Sequence, residues 1–225
     1  MSETGSTDEI GDLRAQLLDA ALPHATFDGW TESTLRHAVR DAGLEPLDAY
    51  RAFPGGADDL LQYYLDSADR QMVSDMLDLD LENMRIRDKI AAGVRLRLEA
   101  AAPHKEAVRR GLNHMGLPHR APTAMKSLYR TVDLMWRAIG DTSTDFNFYS
   151  KRALLAGVYG STLLYWLNDR SENHERTWAF LDRRIGNVMQ IEKAKAQFKG
   201  AGAKLPDPFR IGQRLAARGR RPFRV

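Results

Sequence analysis

ALLAGVYGSTLLYWL, Ala153 to Leu167, runs for fifteen positions without a charge between Lys151, Arg152 and Asp169, Arg170. Apolar residues fall almost all the way round a helix of that length, which predicts a helix buried on every side. A membrane span needs about 20 such residues, so this stretch suits a protein core. Gly157, Gly160 and Ser161 give it one face small enough for a close neighbour, while Leu154, Leu155, Val158, Tyr159 and Trp166 supply bulk elsewhere. Such a helix can line a dimer seam or an apolar cavity.

Outward from it, helical periodicity is nearly everywhere and alternating strand patterns are nearly absent, which predicts an all-α fold. The first helix is expected from about Glu9 to Pro23 with Leu13, Leu17 and Ala20 inward. Thr31 opens a second, with Leu35, Ala38, Val39 and Ala42 buried, and Gly43 ends it. A short third helix from Pro46 to Phe53 stops at Pro54-Gly55-Gly56. A long fourth from Ala57 carries Leu60, Leu61, Tyr64, Ala68, Met72 and Met76 at three-and-four spacing. Ile86–Ala101, His104–Met115, Thr123–Ile139, Asp145–Leu167 and Glu172–Phe198 complete the bundle. A tenth segment, Phe209 to Arg218, is weaker. The implied organisation is a disordered lead over 1–10, a helix-turn-helix-like part over 11–61, a helical bundle over 62–199, and a basic linker and tail over 200–225.

The 225 residues and 43% apolar content suffice for one substantial core. There is no cysteine, which excludes disulfides, thiolate catalysis and zinc–thiolate sites. The opening MSETGSTDEIGD has neither a signal peptide's apolar core nor the arginines of a transit peptide, so a bacterial-type cytoplasm is expected. The net charge of +3 hides an asymmetry: from Lys199 onward eight cations against Asp207 leave +7, so the remainder carries −4. Anions, a membrane surface included, would meet the tail. There Arg210, Arg214 and Arg218 share one stripe and Ile211 and Leu215 another, with Phe209 on neither. The alternative is a solvated arm.

Catalytic and metal motifs do not appear. Each of the six histidines lacks a Glu three positions before it, so the Glu-x-x-His pairs of di-iron bundles are missing. No metal site, cofactor or catalytic residue is expected, and the histidines read as surface or capping groups.

Three helices with a glycine turn between the second and third, followed by Tyr50, Phe53 and Leu60, resemble the helix-turn-helix of TetR-type repressors over roughly Leu13 to Leu61. Where that family's turn carries small or donor-bearing groups, this chain has Glu45, Leu47, Ala52 and Gly56. From Asp28 to Gln62 three arginines face seven carboxylates, a net −4. An anionic reading head binds duplex poorly, since non-specific affinity comes from cations that displace counterions. The scaffold implies a TetR-like bundle with a degenerate helix-turn-helix, and DNA is an improbable partner.

The stretch Asp145-Phe146-Asn147-Phe148-Tyr149-Ser150-Lys151-Arg152, continuing through Tyr159 and Asn168-Asp169 to Thr177-Trp178, Phe180-Leu181 and Arg183-Arg184-Ile185, resembles the ubiquinone-biosynthesis accessory family. Phe27-Asp28-Gly29-Trp30-Thr31 and Phe53-Pro54-Gly55-Gly56 extend the resemblance more weakly. It implies a non-enzymatic homodimer, peripheral on the inner membrane, that binds an isoprenoid quinone intermediate and presents it to the di-iron hydroxylase of that pathway. The family's partner patch carries over to Asp145, Phe148, Tyr149 and Met135. Spacing alone reads the same residues as a helix cap with core packing. For the lipid cavity the candidates are Leu128, Val132, Leu154, Leu155, Val158, Tyr159 and Leu163, which could equally be filled core or a dimer seam. Membrane contact falls to Phe209, Arg210, Arg214, Leu215 and Arg218. The competing function is a transcriptional regulator with an apolar effector pocket.

Overall fold

The computed structural model describes residues 3–143 and 146–202, with side chains for 9–143 and 148–190. Among them are α1 (Glu3–Asp28), α2 (Glu32–Asp41), α3 (Pro46–Ala52), α4 (Ala57–Leu77), α5 (Ile86–Glu99), α6 (Lys105–Met115), α7 (Ala121–Ala138), α8 (Phe146–Asn168) and α9 (Glu175–Gly202), with no strand among the described residues. The all-α expectation holds, and most helix ends fall within a few residues of their predicted places. No described helix is long and apolar enough to cross a membrane.

Two differences concern α1. It begins at Glu3, inside the segment read as a disordered lead. It also runs through Pro23 to Asp28. Pro23 cannot donate to the Asp19 carbonyl, but both residues are exposed, so water can take that carbonyl. Leu22 and Ala25 beyond it are buried and keep the last turns on the core.

Contacts divide the chain into Met1–Arg183 and Arg184–Val225, so the break falls inside α9. In the first unit α1 packs on α2, α3, α4 and α6. The helix-turn-helix part shares one core with its support: Leu17, Trp30, Phe53, Leu60, Tyr64 and Ala107 belong to a single cluster. Trp30, 1% exposed, donates from Nε1 to the Ala107 carbonyl at 2.9 Å. Thr31 caps α2 by accepting from Thr34 N at 3.2 Å.

The centre holds an ion pair that the α4 spacing did not reveal. Ala68 is only half buried, and its neighbour Asp69, 1% exposed, turns inward. Arg97 of α5 donates Nε to Asp69 Oδ1 at 2.8 Å, and Thr131 of α7 donates its hydroxyl to both carboxylate oxygens at 3.0 Å. Arg130 adds an Nη2 contact at 3.2 Å. Removing one member of a buried pair strands the other without water. Asp69→Ala is therefore expected to lower unfolding free energy by about 3–5 kcal/mol, read by urea denaturation, with Asp69→Asn costing less.

Candidate functional site

In α8 the predicted burial on every side is corrected to burial along one stripe. Leu155, Val158, Tyr159, Thr162 and Trp166 face inward, whereas Ala153, Gly157, Leu164 and Asn168 face out. A Cβ added at Gly157 or Gly160 would meet nothing within 4 Å. The small face is present, and among the described residues no atom stands within 4 Å of where those Cβ atoms would be.

Between α6, α7 and α8 lies a cavity of about 290 Å³ whose lining includes Leu65, Met115, Met125, Leu128, Gly160 and Leu164. That is near the lower bound of ordinary ligand pockets, about 300 Å³. Met125 and Leu164 are each more than 60% exposed, so an apolar rim borders solvent. Ser127, Thr131 and buried Arg97 supply polar lining. A smaller void of about 40 Å³ shares Arg97, Tyr159 and Leu163 with it and is also lined by Tyr64. The Tyr64 hydroxyl is buried without a hydrogen-bond partner. Burial pushes this phenol up to about 12 and raises Tyr159 as well, so both remain protonated donors at neutral pH.

Of the seven residues proposed for the cavity, Leu128, Tyr159 and Leu163 line it. Val132, Leu155 and Val158 are buried core side chains outside its lining, and Leu154 is half buried outside it too. Periodicity selects buried faces but cannot separate filled core from wall. Arg97 and Met115, from other helices, carried no signal for the cavity in the α7–α8 pattern, and Met125, on α7 itself, is too exposed to read as a buried face.

At the start of α8, Tyr149 is 65% exposed and Phe148 half buried, with ring centroids 5.1 Å apart, edge to face. The Arg152 guanidinium covers the Phe148 ring at 3.5 Å. Met135 is a correction: it is fully buried, with its Cγ 3.6 Å from where a Gly93 Cβ would stand, and cannot anchor a partner. Asp145 and the proposed membrane residues Phe209, Arg210, Arg214, Leu215 and Arg218 lie outside the described residues.

Beneath this patch Arg152, 1% exposed, donates Nε to Asp133 Oδ1 at 2.6 Å and Nη1 to Asp141 Oδ2 at 3.2 Å. Lys151 and Ser143 also donate to Asp141, at 2.8 and 2.7 Å. Burial alone would raise its carboxyl, but these donors prevail and hold it at about 2. The other end of α8 is equally fixed. Asp169 accepts from Thr177 N and Oγ1 at 2.9 and 2.6 Å and from Ser171 N at 2.8 Å, joining α8 to α9. Lys105 donates to the Asp169 carbonyl at 2.7 Å, and Arg109 to that of Leu167. The Asn168-Asp169 and Thr177-Trp178 motif is thus a helix junction.

The degenerate reading head is visible in its caps. Glu32 Oε1 accepts from Ala57 N at 2.9 Å, and Glu45 N donates to Asp48 Oδ2 at 3.1 Å. Carboxylates stand at the α3 N-terminus, where a phosphate would bind. Gly56 has φ +65°, a backbone conformation that strains any residue carrying a Cβ.

Residues 121–192 match the COQ9 family. The chain is 31% identical over 199 residues to the human mitochondrial ubiquinone biosynthesis protein COQ9, covering 86% of this chain and 63% of that one. The Drosophila melanogaster protein of the same name is 30% identical over 196 residues, covering 85% and 60%. The chain thus spans less than two thirds of these relatives. A TetR transcriptional regulator from Nitrosomonas europaea superposes with TM-score 0.64 at 21% identity, covering 80% of this chain and 99% of that one, which gives a TetR-like fold.

The Asp141 cluster sets a pH dependence. A carboxyl depressed from 3.8 unfolded to about 2 folded stabilises fully above about pH 4 and loses that contribution as pH falls towards 2. Relative to Asp141→Asn, the wild type is expected to be more stable by about 2 kcal/mol at pH 6, with the gap closing near pH 2. Thermal melts across that range measure it.

Proposed function

We propose, on the premise that residues 121–192 carry the COQ9 family region, that this chain is a non-enzymatic accessory protein of ubiquinone biosynthesis that binds an isoprenoid quinone intermediate. The observation that carries this reading is the cavity of about 290 Å³ with an exposed apolar rim and a polar end. An isoprenoid tail would lie against Met125, Leu128, Leu163 and Leu164, with its entrance at the rim. A quinone oxygen is an acceptor, and the Arg97 guanidinium that lines the cavity is a donor; the unpartnered Tyr64 hydroxyl lies in the adjoining smaller void. The cavity holds only part of a long tail, so the rest would run out towards a membrane or a second subunit. The unpacked Gly157 and Gly160 face offers such a subunit a close approach.

Presentation to the di-iron hydroxylase would use the start of α8. Tyr149 provides an accessible ring beside Phe148, of the kind that dominates interfaces, and Asp145 would add charge. A tail of net +7 would dock peripherally on an anionic leaflet, each cation contributing about 1 kcal/mol. A DNA-binding role finds no support in the acidic head.

Gly160→Leu tests the cavity directly. Gly160 lines it, and the added atoms meet open space, so the variant should fill the pocket while keeping or raising stability. Native mass spectrometry of protein purified from a quinone-producing host should show isoprenoid lipid on the wild type and several-fold less on the variant at equal oligomeric state. A lipid-free wild type, or equal loading of both, would refute the reading. Separately, Tyr149→Lys should abolish hydroxylase co-purification without reducing lipid loading.

A further inference from the structure

Helices α1 and α2 fold back on each other, and each closes with the same spacing, a histidine followed four residues later by an aspartate: His24 and Asp28, His37 and Asp41. A separation of four places both side chains on one helix face. The crossing sets the two pairs head to tail. His24 Nε2 lies 2.6 Å from Asp41 Oδ2, His37 Nδ1 lies 3.7 Å from Asp28 Oδ2, and the imidazole centroids are 5.0 Å apart. Donor atoms of His24, Asp28 and His37 all fall within 4.8 Å of one another.

Two features of this cluster call for a cation. His37 Nδ1 is buried with no hydrogen-bond partner, because 3.7 Å to the Asp28 carboxylate is too long for one. Around a tetrahedral ion with bonds of about 2.0–2.1 Å, however, neighbouring ligand atoms stand about 3.3 Å apart. Each carboxylate is also the final residue of its helix, where the dipole's negative end disfavours it.

We propose that His24, Asp28 and His37, joined by Asp41 once its side chain turns in, form a divalent transition-metal site of the zinc class that ties α1 to α2. Two neutral imidazoles and two carboxylates balance a +2 ion, and imidazole ligands favour zinc, cobalt or nickel over magnesium or calcium. Asp41 lies outside the 4.8 Å triad, so assembly needs its side chain to turn towards the ion and the 2.6 Å His24–Asp41 contact to open to about 3.3 Å. The Asp28 and Asp41 side chains, 48% and 42% exposed, leave room for that rotation and for metal entry. The search for Glu-x-x-His pairs missed the site because its spacing is His-x-x-x-Asp and its halves sit on different helices. The proposal is independent of the lipid reading.

The test titrates tag-free full-length protein with zinc chloride in excess magnesium by calorimetry, and with cobalt chloride by visible absorption. One zinc per chain, an intense tetrahedral cobalt band and a raised melting temperature are expected. His37→Gln and Asp28→Asn should each weaken zinc binding roughly tenfold or more, while His119→Gln, on an exposed histidine elsewhere, leaves it unchanged. Absence of saturable one-to-one binding, or unaltered affinity in both ligand variants, overturns the site. If His37→Gln loses helical circular dichroism, Asp28→Asn decides: tenfold weakening supports the site and unchanged affinity refutes it.

Discussion

The Arg97 guanidinium and the Asp69 carboxylate, both almost wholly withdrawn from water and 2.8 Å apart, set the terms for the bundle around them. Taking two charges out of solvent is costly, and the pair is tolerable only because Thr131 and Arg130 complete the carboxylate's hydrogen bonds. Those partners lie on α4, α5 and α7, so satisfying one carboxylate fixes three helices relative to each other. Arg97 also lines both voids. The group that pins the core is therefore the group that makes the end of the cavity polar.

The same carboxylates that would repel a phosphate backbone do structural work at the amino end. Glu32 caps α4, Asp48 receives the Glu45 amide, and Asp58 is held by His114 and Arg120. A TetR-like head has been kept as a packing unit, sharing one core with α4 and α6 through Trp30 and Ala107. The fold is TetR-like, and the head from Asp28 to Gln62 carries a net charge of −4.

Helix positions were legible in the residues because they follow from local rules. Three-and-four spacing of apolar residues marks α2 and α4 to α8, Thr31 marks a cap, and Gly43, with φ +67°, marks a stop. Pro23 misled because a proline in an exposed turn costs one bond that water can replace. Met135 misled because its role rested on resemblance, and burial is decided by what α5 places opposite it. Of the cavity, the buried-face reading of α7 and α8 picked out Leu128, Tyr159 and Leu163; it passed over exposed or polar wall residues of the same helices, such as Met125, Thr131 and Leu164, and the rest of the wall comes from helices distant in sequence.

By itself the sequence determined an all-helical chain, an anionic head, a basic tail and a family likeness, all of which depend on near neighbours or on summed charge. Only the tertiary structure decided which polar groups meet. Asp69 finds Arg97, Asp141 finds Arg152, and the histidine–aspartate pairs of α1 and α2 find each other across 9 to 28 residues of chain. It also decided that α8 is exposed at Gly157, Leu164 and Asn168 and that a void remains beside α7. Packing of separate helices sets these outcomes, and no local window of sequence contains the distance between two helix faces.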